Sequence, residues 1–334
     1  MEMIGMKKVC VILTVVVLTI VSVSAAPQFS GNFGLDYKLG FDGTLTPSGV
    51  DSDTRAAELK LTLSSDYWDL AFRALGANGT DVDATATLKV NAILATADIE
   101  LPVAISALVG NQNFFSSSVY ADPNGSEGDH YALYSQSISR GNVPFGLEVG
   151  YNGLATVKAG YDVVDKGKFL SATVNPLDGV SFAFNMVNNA TFDKYAVGGV
   201  GITASAAADI ANLAGLDFGL MLSGSGWFSM DDASANNYFV AINGAKDAVS
   251  AFVEYTNEMA KSSVNVGGGY TINDTTKVSA GLGISDLTGN ATVGAWAKGA
   301  YTIAGISTFV KYGFSENGDG AGKHYVQTGL DFAF

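Results

Sequence analysis

Few side chains in this 334-residue chain are of the kinds that do covalent chemistry: two histidines, His130 and His324, and one cysteine, Cys10. Asp129-His130 has the composition of an acid–base couple, but neighbours on a strand point to opposite faces, so the two do not form a catalytic pair by themselves. No Gly-x-Ser-x-Gly stands near a plausible triad. Gly320-Ala321-Gly322-Lys323 superficially matches a phosphate loop, yet Asn317 stands where the first glycine belongs, His324 replaces the hydroxyl residue, and a strand follows in place of a helix. Asp51-Ser52-Asp53 and Asp231-Asp232 offer carboxylates for weak calcium contact and read as solvated turns. The sequence therefore calls for no cofactor and no metal, and enzyme activity is not expected. A net charge of −14 argues against a nucleic-acid partner.

What remains is charge set into an alternating pattern. Lys60, Arg73, Lys89, Glu100, Glu148, Lys158 and Asp162 each fall on the polar side of a segment whose other side is apolar. Side chains of both signs on one face of a sheet do no chemistry on bonds; they line water. These seven are the candidate pore-lining residues. Asp122, Glu127 and Asp129 lie in a non-alternating stretch and are candidates for a constriction, where they would face a basic group such as Arg73 or Lys89 across the bore.

The elements that would position them are strands. From Phe29 to Phe41 the odd positions read Phe, Gly, Phe, Leu, Tyr, Leu, Phe, against Ser, Asn, Gly, Asp, Lys, Gly at the even ones. The alternation recurs along the chain, for example Leu59, Leu61, Leu63 against Glu58, Lys60, Thr62, and Val249, Ala251, Val253, Tyr255. Period two is the period of a strand with one apolar and one wet face. The Ala-rich stretch from Thr203 to Gly215 is read as strand as well. Asp42-Gly43, Asn78-Gly79, Asn152-Gly153, Asp178-Gly179, Asn243-Gly244 and Asn317-Gly318 supply the positive φ angles of tight hairpins. From Asn111 to Asp129 the alternation stops, and a connection of that length among hairpins suits a segment folded into the lumen.

Composition narrows the architecture. The chain is 48% hydrophobic but only 15% charged, against about 25% in ordinary soluble domains. Past residue 25 no apolar run reaches the roughly 18 residues a membrane helix needs. Apolar residues confined to one face of every strand fit an all-β transmembrane antiparallel up-and-down barrel, of about 16 strands with 18 as the runner-up. Lys7-Lys8, the apolar run Val9–Val23 and the small residues around Ala25 read as a secretory signal peptide over residues 1–25, leaving residues 26–334 as one barrel with its long loop at 111–129. More acids than bases fall outside the strands, so acidic rims would concentrate cations at the mouths.

The chain resembles the general porins of bacterial outer membranes. The resemblance rests on the signal peptide, the meander over the whole remaining chain, and the ending Gly329-Leu330-Asp331-Phe332-Ala333-Phe334. Val109-Gly110-Asn111-Gln112 is similar to the end of the strand preceding that family's constriction loop, although porins often have an arginine where Asn111 stands. The resemblance implies an outer-membrane location reached through the periplasm, an assembly signal at Phe334 read by the outer-membrane assembly machinery, a homotrimer, and outer-membrane lipid, small hydrophilic solutes and ions as partners. The expected function is a water-filled channel for passive diffusion. The alternative is a structural or adhesive surface barrel with a closed lumen.

Overall fold

The computed structural model describes residues 32–41, 45–47, 58–76, 80–110, 118–120, 145–163, 166–188, 200–230, 236–258, 261–315 and 324–333. These hold strands β1 (Asn32–Gly40), β2 (Leu45–Pro47), β3 (Glu58–Ser64), β4 (Trp68–Gly76), β5 (Thr80–Lys89), β6 (Ala104–Gly110), β7 (Phe145–Tyr151), β8 (Ala155–Tyr161), β9 (Lys168–Leu177) and β10 (Val180–Asn188). They continue with β11 (Val200–Asp209), β12 (Gly219–Ser229), β13 (Asn237–Lys246), β14 (Val249–Glu258), β15 (Lys261–Asn273), β16 (Thr276–Ser285), β17 (Thr292–Ile303), β18 (Ile306–Ser315) and β19 (His324–Ala333). Two short helices, α1 (Val90–Ala95) and α2 (Ile210–Ala214), interrupt the meander.

Each strand from β3 to β19 pairs antiparallel with the next, β19 pairs with β1, and β1 pairs with β2. Counting direction reversals around this series, β1 runs opposite to β3, and β2 runs opposite to β1, so β2 and β3 point the same way. Both lie beside β1: β2 pairs with its Tyr37–Leu39 segment, and β3 approaches it within 8 Å between Cα atoms. They share one strand place, and among the described residues the sheet has eighteen places, the runner-up count. No hydrogen-bonded register joins β1 to β3 among the described residues, so the cylinder is drawn together but not laced at that seam.

Exposure shows which face looks where. Val253 is 51% exposed while its neighbour Glu254 is 1% exposed; Val310 and Lys311 stand at 57% and 6%. Along strand after strand the apolar positions face out, and Ser171, Asn185, Ser223 and Thr256 are buried inside. This inverts a soluble core and is the arrangement expected of a barrel in lipid, where backbone groups are satisfied between strands. Ten-residue strands rising about 3.3 Å per residue and tilted by about 40° cover roughly 25 Å, the height of an apolar band. Outward tyrosines mark its edges: Tyr238, Tyr255 and Tyr312 toward one end, Tyr151, Tyr270 and Tyr301 toward the other.

The ends differ. One carries tight connections, including Asn152-Gly153 with φ of 47° and 71°, and Ala304-Gly305 with φ of 49° and 80°. The two helices, the start of β1 and the end of β19 lie at this end, and the longer connections, including residues 111–144, at the other. Three local expectations are corrected. Asn243-Gly244 lies within β13, and the chain reverses at Asp247, whose φ is 52°. The stretch from Thr203 is strand only to Asp209, where the Asp209 carboxylate accepts a hydrogen bond from the Asn212 N–H at 3.0 Å and starts α2, which Gly215 ends in a left-handed conformation. Glu100 and Leu101 precede β6, because α1 occupies the start of that connection.

Candidate channel lumen

The inner wall carries charge of both signs in cross-strand pairs. Glu148 on β7 and Lys158 on β8 are directly opposite in register and form an ion pair at 3.4 Å. Lys89, the last residue of β5, reaches Asp69 on β4 at 3.0 Å and donates to the Ser65 carbonyl at 2.9 Å. Asp162 is buried just past β8, its backbone N–H bonded to the Gly167 carbonyl at 2.8 Å. Lys60 on β3 opposes Arg73 on β4 in register, and Arg73 opposes Asp83 on β5; the side chains of all three lie outside the described residues. Glu100 sits in the exposed connection between α1 and β6. Asp122, Glu127, Asp129, His130 and Phe334 lie outside the described residues, as do residues 1–31.

The chain leaves the wall after β6 at a residue that must be glycine. Gly110 has φ of +149°, and a Cβ there would stand 2.6 Å from the Ala84 carbonyl oxygen and 2.7 Å from the Thr85 Cα, both backbone atoms of β5. Residues 118–120 then appear far from β6. The Val119 N–H donates to Ser205 Oγ on β11 at 3.1 Å. The Tyr120 hydroxyl donates to Glu254 on β14, and the Tyr120 ring packs on Phe239 of β13 with centroids 6.0 Å apart. Asn265 on β15 donates to the other Glu254 oxygen at 3.4 Å. Ser205, Phe239 and Glu254 are all buried on the inward face. Of the segment expected to fold into the lumen, the described residues 118–120 lie against the inner face of β11, β13 and β14.

Tyr120, Ser205 and Phe239 were not among the sequence candidates. Tyr120 is one of three aromatic residues, with Phe114 and Phe115, in a stretch rich in Ser, Asn and Gly, a hint that part of the loop has something to pack against. Phe239 is hidden by a run of apolar residues, Tyr238 to Ile242, in which period two carries no polar marker. Together the features describe a cylinder, greasy outside and wet inside, with residues 119 and 120 bonded to its inner wall.

No family model matches the chain, and no curated sequence is significantly similar. Solved structures are similar over nearly its whole length. An engineered variant of the Rh. blastica porin matches with a TM-score of 0.53 at 15% identity, covering 92% of this chain and 100% of that one. Wzi of Escherichia coli, an outer-membrane carbohydrate-binding β-barrel, gives 0.53 at 11% identity over 91% and 85%. OprB of Pseudomonas putida gives 0.51 at 11% identity over 92% of each chain. The fold is that of the porin-type outer-membrane β-barrels.

Proposed function

We propose that this barrel sits in the outer membrane and forms a water-filled channel for passive diffusion of small hydrophilic solutes and ions. The observation that carries the reading is that Val119 and Tyr120 hydrogen-bond to Ser205 and Glu254 on an inner wall that also holds ion pairs, which supports a polar lumen with its own inward element. A channel that works by exclusion needs a fixed narrow point and a polar wall, and no catalytic group. Signal cleavage, insertion guided by Phe334 and assembly as a homotrimer belong to the same reading. Reconstitution of the refolded chain in a planar bilayer tests it. Ohmic conductance steps are the expected result; electrical silence together with capture of a surface partner points instead to the closed adhesive barrel.

A further inference from the structure

Near the end with the tight connections, the inner wall is hollowed by a recess of about 340 Å³ that the channel reading does not use. Register sets Asp209 beside Met221, and Asn243 beside Phe252, at one height of β11–β14. Asp209 has the parity of the buried Ser205 on its strand, and Phe252 that of the buried Glu254, so the row faces the lumen. The next inward positions toward the tight connections are Gly219, Ala245 and Ser250, directly opposite one another. Their short side chains, beside Met221 and Phe252, leave a hollow whose volume falls in the range of about 300–1,000 Å³ found for ligand pockets. It lies between that mouth and the wall contacts of Val119 and Tyr120 with Ser205 and Glu254.

The polarity of the recess is one-sided. Among the described residues that line it, Asp209 alone is charged. The Asn212 backbone N–H donates to the Asp209 carboxylate at 3.0 Å, and the Asn212 side-chain amide donates to the Asp178 carboxylate at 3.0 Å, so one residue holds both acids in place. Among the described residues no base pairs with either: Lys246, next to Ala245, is paired to Asp217 at 2.8 Å, and Lys277 stands on β16, two strands past Ser250. Away from Asp209 the lining is largely apolar, with Met221, Ala245 and Phe252, whose ring leans over Gly267, where a Cβ would fall 2.6 Å from it. A carboxylate fixed at one end of an apolar hollow suits a cation that carries an apolar body. Resting on the channel reading, we propose that the recess binds small organic ammonium ions, Asp209 taking the ammonium, Met221 and Ala245 the apolar body, and Phe252 closing the far side. A bare inorganic cation has no use for the apolar lining, a neutral solute leaves the carboxylate's charge unmet, and an anion would meet Asp209 and Asp178 with no base between them.

The test uses the full refolded barrel, titrated calorimetrically in detergent and recorded as single channels in planar bilayers, with phenethylammonium, phenethyl alcohol, methylammonium and 3-phenylpropionate as probes. Phenethylammonium is expected to bind, and to reduce channel current, at about one-tenth the concentration at which any other probe does so. Asp209→Asn removes the charge but keeps the cap of α2, because asparagine caps a helix as well as aspartate does, and should abolish the advantage over phenethyl alcohol. Ala245→Leu fills the hollow, leaves Asp209 in place and should abolish the advantage over methylammonium. Equal binding of phenethylammonium and 3-phenylpropionate to the wild-type barrel, or wild-type binding by the Asp209→Asn variant, overturns the proposal. Calorimetric binding without conductance would sink the channel and keep the recess; conductance without binding would do the reverse.

Discussion

At the scale of single residues, Gly110 and the Tyr120–Glu254 contact set how the described residues 118–120 reach the inner wall. Gly110 combines a left-handed backbone with contact to β5 backbone, so Gly110→Ala is expected to destabilise the barrel by about 1–3 kcal/mol. Gly299→Ala, where nothing lies within 4 Å of a new Cβ, should cost far less. Urea unfolding in lipid vesicles compares them, and equal midpoints would contradict the account. Tyr120 and Glu254 form the latch. Removing the donor with Tyr120→Phe leaves a buried carboxylate oxygen short of a partner, a loss of about 1–3 kcal/mol concentrated in the loop. Faster proteolysis within residues 113–127 of the folded barrel is the expected outcome, and wild-type resistance would argue against the latch. The contact was out of reach of the sequence because Tyr120 and Glu254 are 134 residues apart and loop composition says nothing of the partner. Gly110 was visible as part of Val109-Gly110-Asn111-Gln112, although its φ was not.

Elements were more legible, because a half-lipid, half-water strand writes its period into the chain. Glu148 and Lys158 were placed on wet faces by alternation alone, and they meet across β7 and β8. Turn chemistry was a weaker guide. Asn152-Gly153 makes a hairpin, Asn243-Gly244 is held in β13 by pairing with Leu220 and Met221, and Ala304-Gly305 turns without an Asn or Asp. In the last two cases the register demanded by the neighbouring strands outweighs a two-residue preference. The opposed faces predict opposite tolerance to charge. Val253→Lys on the lipid face should cost about 2–4 kcal/mol, whereas Thr173→Lys, on the inward face opposite Ala183, should cost little. Unfolding titrations in vesicles check the pair, and similar losses would mean the faces have been assigned wrongly.

The whole molecule is an eighteen-place cylinder, and its strand count was harder to read than its class. The first hairpin is split, with β2 and β3 sharing one place, so segment counting overshoots and average-length arithmetic undershoots. Charge is also distributed at this scale. The short-turn end carries Asp66, Asp98, Glu100, Asp178, Asp217, Asp247 and Asp274, with Lys246 paired to Asp217 at 2.8 Å. Such a rim should favour cations in a dilute salt gradient and lose that preference as salt screens it. Reversal potentials measure this, and anion preference at low salt would contradict it. The central claim is that the lumen conducts and that the latched segment narrows it. Single-channel conductance of the wild-type chain beside a variant lacking residues 113–127 tests both together: ohmic steps in both, larger in the variant, are predicted. Silence in both, or steps of equal size, would contradict the account.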